Sequence, residues 1–241
     1  MTHSIHIRPK TDIIRKGNRP VLKNLNKIDA LILLTEFQKK DIIARFGYRS
    51  NYYVIPHAIK TETKKFETEK NNVVIVSRLH EEKRLEQAIR AFKKVVEWSP
   101  DAVLNIYGEG KDRKHLEKLI DNLNLNQNVF LRGYTHNINQ ALQSAECTLL
   151  TSIYEGFALV VQESLANGTP VIAYDIKYGP SDMIEDGKNG YLIEDGNIDQ
   201  LARKIYMYLF KNEDEKNKFL GSKIIFLPAQ LCVCVCVCVY T

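Results

Sequence analysis

The sequence predicts an α/β fold, a doubly wound parallel sheet of the Rossmann-like kind with helices on both faces. From residue 72 onward, short apolar runs alternate regularly with longer amphipathic stretches. A single helix between two strands requires a crossover connection, and crossovers make neighbouring strands parallel. Runs such as 73–76 are apolar at every position, as expected when both faces of a sheet are covered. In such sheets, ligands bind beyond the carboxyl ends of the strands.

Two periodicities define the individual elements. Strands are short apolar runs bounded by turn residues, and helices repeat apolar residues on one face. In the helix at 85–98, for example, Leu85, Ile89 and Phe92 share a face. In chain order, we predict strands at 73–76, 103–107, 129–131, 147–151, 170–173 and 191–193, and helices at 85–98, 116–123, 138–144, 159–167 and 198–210.

The first seventy residues have a different organisation. An apolar run at 29–34 predicts a strand, and Thr35 is placed to cap a helix at 36–46. A second extended segment follows at 52–56. The stretch from 60 to 70 is rich in Thr, Lys and Glu, which is typical of a surface connection.

Length and charge limit the class of protein. The chain has 241 residues, of which 44% are hydrophobic, enough for one full domain and too few for a second of ordinary size. Its net charge is +5, but lysines and glutamates are interleaved on helix faces and no basic–aromatic module is present. We therefore expect no nucleic-acid partner, whereas an anionic acceptor or peripheral contact with a membrane surface suits the positive excess. Without a long apolar run or a signal peptide, the expected location is cytoplasmic.

The cysteines are concentrated in one low-complexity segment. Four of the five cysteines lie in the alternating Cys-Val run at 232–239. Cys-x-Cys spacing can hold a metal, but the run lacks turn residues and a second ligand pair. A perfect dipeptide repeat is what in-frame TGTGTG would encode, so we interpret 220–241 as a frameshifted tail without evolved chemistry. The remaining Cys147 lies in an apolar strand and is expected to be inert core.

The most informative motif is a pair of carboxylates, Glu155 and Glu163, separated by eight positions. Glu155 opens a turn after the strand at 147–151, and Gly156, Phe157 and Ala158 lead into the next helix. Unpaired amides and the helix dipole make such a helix start favourable for an anion. Taken alone, two glutamates at this spacing are more often a solvated helix face. Here a longer pattern surrounds them.

That longer pattern resembles a known family. The E-x7-E element at 155–163, the small-residue helix after it and the G-x-P-V-I-A strand at 168–173 are similar to the donor half of retaining glycosyltransferases of family four. These enzymes consist of two Rossmann-like domains, an arrangement called GT-B. Three short motifs are most similar to the teichoic-acid branch of this family: L-T-x-x-Q-x-x-D-I at 34–42, I-P-H at 55–57 and G-P-S-D-x-I at 179–184. Enzymes of that branch place glucose or N-acetylglucosamine on poly(glycerol phosphate) or poly(ribitol phosphate).

The resemblance implies a division of the chain. Residues 1–58 correspond to a remnant of the N-terminal acceptor domain and its crossover linker, with His57 as a hinge residue. Residues 59–219 correspond to the nucleotide-sugar-binding, Rossmann-like C-terminal half of a GT-B fold, followed by the tail at 220–241. We therefore expect a truncated chain that lacks most of the acceptor site. His3 and His6 are either a remnant of the family's H-x-x-H element or a polar terminus.

The resemblance also assigns donor-binding roles. It implies that Glu163 hydrogen-bonds the donor ribose hydroxyls. Glu155 and the amides of Gly156, Phe157, Ala158 and Leu159 are then expected to meet the transferred sugar and the diphosphate. In the same family the segment that corresponds to 133–137 lies against the nucleobase, so Tyr134 is a candidate for packing against the base, although an ordinary core aromatic is an equal alternative.

A second group of candidate residues follows the strand at 73–76. Arg78 and Lys83 match the family pattern S-R-x-x-x-x-K, in which both cations stabilise the departing diphosphate. An arginine makes forked contacts to phosphate, and a lysine adds a point charge. Without the E-x7-E element, the same stretch would be interpreted as a solvated charged loop.

Two further motifs are not expected to carry chemistry. The Gly108-Glu109-Gly110 turn lacks the lysine of a phosphate loop, and in the family it shapes the rim of the cleft. In the Gly-Pro-Ser-Asp stretch at 179–182, Ser181 or Asp182 is expected to be the N-cap of a short helix, and Asp182 is not expected to catalyse. No Asp-x-Asp pair occurs, so we expect no metal and no cofactor.

The leading hypothesis is a hexosyltransferase that moves glucose or N-acetylglucosamine from a UDP-sugar to an acceptor hydroxyl with retention. Its partners would be the UDP-sugar and a polyanionic or glycan acceptor. A binding module without turnover is the main alternative for this truncated chain, and a two-domain UDP-sugar epimerase is a third. The sequence leaves the oligomeric state open.

Overall fold

The structure is a computed structural model, and it describes residues 19–59, 66–212 and 214–216. Predictions for His3, His6, most of the 60–70 connection and the tail at 220–241 lie outside these residues. In chain order the elements are α1 (Arg19–Lys23), β1 (Leu31–Leu33), α2 (Glu36–Phe46), β2 (Tyr52–Val54), β3 (Asn72–Val76), α3 (Leu85–Trp98), β4 (Val103–Tyr107), α4 (Arg113–Asn122), β5 (Val129–Gly133), α5 (Ile138–Gln143), β6 (Cys147–Leu150), α6 (Leu159–Ala166), β7 (Val171–Tyr174), α7 (Pro180–Met183), β8 (Gly190–Ile193) and α8 (Ile198–Leu209).

The larger unit is a six-stranded sheet with the strand order β5-β4-β3-β6-β7-β8. Every neighbouring pair is parallel, which confirms the predicted α/β doubly wound sheet. The chain adds β4 and β5 on one side of β3 and then adds β6, β7 and β8 on the other side, so the strand order reverses between β3 and β6. The connections after β3 and β6 leave toward opposite faces, so a crevice opens above these two strands.

Periodicity located most of these elements accurately. The bounds of α3 and β4 agree with the prediction, and the shared helix face of Leu85, Ile89 and Phe92 is buried. Cys147 is a free, fully buried thiol at the start of β6, and burial raises the pKa of that thiol. Its expected place in the core is confirmed. No helix in the described part of the chain is both long enough and apolar enough to cross a membrane.

The first unit is a β-α-β element with a core of its own. β1 pairs in parallel with β2, and α2 connects them. The Thr35 hydroxyl accepts a hydrogen bond from the Gln38 amide at 3.1 Å, which confirms the predicted helix cap. A residue of the larger unit, Tyr178, completes this small core. Its hydroxyl donates to Asp41, and Lys177 forms an ion pair with the same carboxylate at 2.6 Å.

The Gly108-Glu109-Gly110 turn supports the loop that follows β3. The Leu79 amide donates to the Glu109 carbonyl at 2.9 Å, so the two backbones run in close contact. A Cβ atom at Gly108 would lie 1.8 Å from the Ser77 carbonyl oxygen, and one at Gly110 would lie 2.1 Å from the Leu79 carbonyl oxygen. Both positions therefore require glycine for close approach, and the turn is a structural support for the loop that carries Arg78.

We expect Gly108→Ala to lower the free energy of unfolding substantially, because its Cβ would overlap the Ser77 backbone. Gly187→Ala is the matched control: Gly187 also has a positive φ of 77°, but nothing lies within 4 Å of its Cβ position. The control should cost only the backbone term of about 1–2 kcal/mol. Gly108→Ala should cost at least about 2 kcal/mol more in urea denaturation. Equal losses in the two variants would contradict the close approach.

Candidate functional site

The candidate site lies in the crevice above β3 and β6, where the strand order reverses. The loop after β3 contains a short 3₁₀ helix (Glu81–Lys83), and the loop after β6 leads into α6. Between them is a cavity of about 360 Å³, to which both units of the chain contribute. It is lined by Leu34, His57, Val76, Lys83, Glu155, Gly156, Phe157, Ala158, Leu159 and Val160.

The centre of the cavity wall is an ion pair between Lys83 and Glu155. The Lys83 Nζ atom lies 2.6 Å from the Glu155 Oε1 atom, and the two side chains are 15% and 16% exposed. The Ser152 hydroxyl donates to the same carboxylate oxygen at 2.6 Å. Because the pair is largely removed from water, its attraction exceeds that of a surface pair. The structure thus brings together two predicted site residues that are 72 positions apart.

Backbone contacts fix the two loops to each other. The Thr151 hydroxyl donates to the Lys83 carbonyl at 2.8 Å. The Ile153 amide donates to the Glu82 carbonyl, also at 2.8 Å. These bonds cross the boundary between β3 and β6. The backbone that carries Lys83 is therefore held in register with the backbone that leads to Glu155.

The start of α6 forms the second wall. Ala158, with φ of 60°, occupies the left-handed region as the N-cap residue, and this kink turns the chain sharply into the helix. Phe157 is buried and its ring meets the His57 ring edge-on, with 5.5 Å between centroids. Leu159 is exposed, and the first amides of a helix have no intrahelical acceptor. Of the first-turn amides here, that of Val161 donates to the Ala158 carbonyl at 2.9 Å. The predicted anion-favouring helix start is thus part of the cavity wall.

Glu163 lies further along α6, outside the lining of this cavity. Its side chain is half-buried, and desolvation raises the pKa of its carboxyl above the ordinary value. Within the described residues, no hydrogen-bond donor or cation meets that carboxylate. Such a group costs stability in the unliganded protein, which is typical of residues that bind a ligand.

Arg78 and Tyr134 are not brought into the cavity. The Arg78 side chain is 69% exposed and pairs with Glu82, with 3.3 Å between Nη2 and Oε1. Tyr134 is 70% exposed and makes an edge-on ring contact with His136. The alternative that Tyr134 is a core aromatic is therefore wrong. Its packing against a nucleobase stays a prediction.

Asp182 has a local structural role. Its Oδ2 atom accepts a hydrogen bond from the Gly179 amide at 3.1 Å. It occupies the third helical position of α7 and reaches back to the N-cap residue, Gly179, rather than being the N-cap itself. Burial raises the pKa of this carboxyl. The contacts of Asp182 are structural, but the expectation that Ser181 or Asp182 is the N-cap is wrong, because Gly179 occupies that position.

Three residues of the site were not assigned a role there from sequence. Ser152 binds the Glu155 carboxylate, and His57, expected only at a hinge, lines the cavity. The Gln38 side chain, which is buried, donates to the Gly156 carbonyl at 2.5 Å. Gln38 did carry a signal, since it is the glutamine of the L-T-x-x-Q-x-x-D-I motif at 34–42. Among the described residues, no cluster of three or more His, Cys, Asp or Glu side chains could hold a metal.

Sequence comparison places the chain among known proteins. Residues 58–223 match the family described as "Glycosyl transferases group 1". Over 215 residues the chain is 40% identical to the poly(ribitol-phosphate) alpha-N-acetylglucosaminyltransferase of Staphylococcus aureus (strain COL), covering 88% of this chain and 43% of that protein. It is 37% identical over 221 residues to the poly(glycerol-phosphate) alpha-glucosyltransferase of Bacillus subtilis (strain 168), covering 90% of this chain and 33% of that protein.

Solved structures agree with these relatives. A mutant of S. aureus TarM, in complex with fondaparinux, alpha-GlcNAc-glycerol and UDP, superposes with a TM-score of 0.89 at 32% identity, covering 99% of this chain and 49% of that one. The pneumococcal O-GlcNAc transferase GtfA, in complex with UDP and GlcNAc, gives a TM-score of 0.82 at 25% identity, covering 95% and 48%. The chain spans less than half the length of each of these proteins. The family match and the two close relatives show that this chain belongs to the group 1 glycosyl transferases.

Proposed function

We propose that this chain binds a UDP-sugar and serves the transfer of its glucose or N-acetylglucosamine to a hydroxyl of a poly(ribitol phosphate) or poly(glycerol phosphate) chain, with retention of configuration. The observation that carries the proposal is the Lys83–Glu155 pair beside the first turn of α6. A cation, a carboxylate and a helix start in one cavity suit a diphosphate joined to a polyhydroxyl ring. The named relatives act on these two acceptors.

The proposed division of labour follows the charges. Negative charge develops on the diphosphate as the sugar departs, and Lys83 with the α6 amides stabilises it. Within the described part of the chain, the Arg78 guanidinium pairs with Glu82 at the surface. Such an exposed pair contributes little in water, so a diphosphate can compete for the guanidinium. These cations and amides supply the positive charge, and the proposal needs no metal or cofactor.

Glu155 and Glu163 act at opposite ends of the donor in this proposal. Glu155 holds sugar hydroxyls and stabilises positive charge near the ring, without acting as a nucleophile. The acceptor hydroxyl attacks from the face that the diphosphate leaves, and a departing phosphate oxygen takes its proton. Glu163 binds the ribose hydroxyls, which supplies binding energy far from the reacting carbon. What supports this assignment is its half-buried carboxylate, which pairs with none of the residues that the structure describes.

A second candidate is donor binding without turnover. It is favoured by the composition of the cavity wall: among the described residues, only Leu34 and His57 line it from the first unit. Incubating the full chain with UDP-N-acetylglucosamine and a ribitol phosphate oligomer separates the two candidates. Release of UDP with growth of the oligomer supports transfer, and donor binding without either product supports the binding module.

We expect Glu163→Gln to weaken the binding of UDP by roughly tenfold to a hundredfold in calorimetry, because a charge-assisted hydrogen bond to the ribose is lost. The matched control is Glu97→Gln, which removes an exposed carboxylate at the end of α3, 3.7 Å from Lys93. The control should bind UDP like the parent chain. Equal affinities of the parent and Glu163→Gln would remove the ribose assignment, and absence of binding in the parent would refute the donor site.

The same variant should be more stable than the parent at neutral pH. Burial raises the pKa of Glu163 in the folded state, so folding favours the protonated carboxyl and its ionisation costs stability. The parent is expected to lose stability as pH rises from the ordinary value of 4.5 through the raised pKa, whereas the amide of the Glu163→Gln variant does not titrate. Melting temperatures of the two proteins are measured from about pH 4, near the ordinary carboxyl pKa, to about pH 8. As the pH rises, the melting temperature of the variant should increasingly exceed that of the parent. A parent that is as stable as the variant at pH 7 contradicts this expectation.

A further inference from the structure

The residue next to Lys83 has an unusual backbone conformation. Arg84 has φ of 48° and ψ of 39°, the left-handed region, which is unfavourable for residues that carry a Cβ atom. It ends the 3₁₀ helix, where its amide donates to the Glu81 carbonyl at 3.0 Å. It also begins α3, where its carbonyl accepts from the Gln87 amide at 2.9 Å. Such strain persists only where the surroundings stabilise it.

The Arg84 side chain supplies that stabilisation. Its Nε atom donates to the Thr151 carbonyl at 2.9 Å, and its Nη2 atom donates to the Ser152 carbonyl at 2.8 Å. Nη2 also forms an ion pair with Asp195, two positions after β8. The guanidinium carbon lies 4.8 Å from the centroid of the Tyr174 ring, at the end of β7. One side chain, only 12% exposed, therefore connects the carboxyl ends of β6, β7 and β8 to the loop after β3.

These contacts lead directly to the candidate site. Ser152, whose carbonyl binds Arg84, uses its hydroxyl to hold the Glu155 carboxylate. Thr151, the other acceptor, donates its hydroxyl to the Lys83 carbonyl. The guanidinium thus fixes the two residues that orient the backbone and side chain of the Lys83–Glu155 pair. A lysine could not replace it, because a single ammonium lacks the planar fork that reaches two carbonyls and a carboxylate together.

We propose that Arg84 is a positioning residue for the donor diphosphate. It holds the loop after β6 against the loop after β3, so that Lys83 and the start of α6 converge on one anion. The inference rests on the proposed function for the identity of that anion. Arg90 contrasts with Arg84, because it is an exposed residue of α3 that pairs with Glu86 one turn away. Arg90 therefore has the same charge and no contact with the site.

The test compares Arg84→Gly, Arg84→Lys and the control Arg90→Ala in the full chain. Glycine tolerates the left-handed backbone, so Arg84→Gly removes the guanidinium without adding strain. UDP affinity is measured by calorimetry, and amide hydrogen exchange is followed at Ile153, whose amide bonds the Glu82 carbonyl across the two loops. If Arg84→Gly does not fold, Asp195→Asn removes one of its partners instead.

We expect Arg84→Gly and Arg84→Lys to bind UDP roughly tenfold more weakly, or worse, than the parent and the Arg90→Ala control. Exchange should become faster at Ile153 while the amides of β4 and β7 keep their protection. The proposal is overturned if both Arg84 variants bind UDP as tightly as the parent. It is also overturned if amide hydrogen exchange becomes faster throughout the sheet, because that result indicates a purely structural role. A parent chain that does not bind UDP defeats the proposed function instead, and exchange at Ile153 then decides alone whether Arg84 positions the loop.

Discussion

The parallel pairing of β3 with β6 is the constraint on which the site depends. Val73 pairs with Cys147 and Val74 with Thr148, although about seventy residues separate the strands along the chain. This pairing places the loops that carry Lys83 and Glu155 next to each other at the edge where the strand order reverses. Because the following helices leave toward opposite faces, the space above the two strands stays open. Fold and site are therefore linked by one register: a slip along β6 would separate the lysine from the carboxylate.

The site combines strongly satisfied groups with one that is left unsatisfied. The Glu155 carboxylate contacts both the Lys83 ammonium and the Ser152 hydroxyl. The Arg84 guanidinium contacts two backbone carbonyls and a carboxylate. Glu163, in contrast, is partly dehydrated and has no partner among the described residues. A protein selected for stability alone would replace such a carboxylate, so its presence favours a ligand that supplies the missing donors. The preorganised Lys83–Glu155 pair at one end of the site suits a diphosphate, and the Glu163 carboxylate at the other end suits a ribose. Together they match a donor that contains both groups.

Much of this arrangement is encoded locally, and some of it is not. The bounds of α3 and the Thr35 cap follow from apolar periodicity and from side-chain-to-backbone bonding within one turn, which a short window of sequence contains. Arg78 and Lys83 carry the same charge five positions apart, yet one is exposed and the other is paired in the cavity, and only tertiary packing distinguishes them. The bond from Gln38 to the Gly156 carbonyl joins positions 118 apart, so no local pattern predicts it. The left-handed conformation of Arg84 was also missed, because glycine or asparagine is the usual signal for that region.

The most direct test of the central claim is a crystal structure of the full chain with bound UDP. We expect the diphosphate in the cavity between the two loops, with an oxygen within hydrogen-bond distance of the Lys83 Nζ atom and another at the first-turn amides of α6. The ribose hydroxyls should lie at the Glu163 carboxylate. UDP bound elsewhere on the sheet, or a diphosphate out of reach of both Lys83 and α6, would contradict the claim that pairing of β3 with β6 builds a donor site.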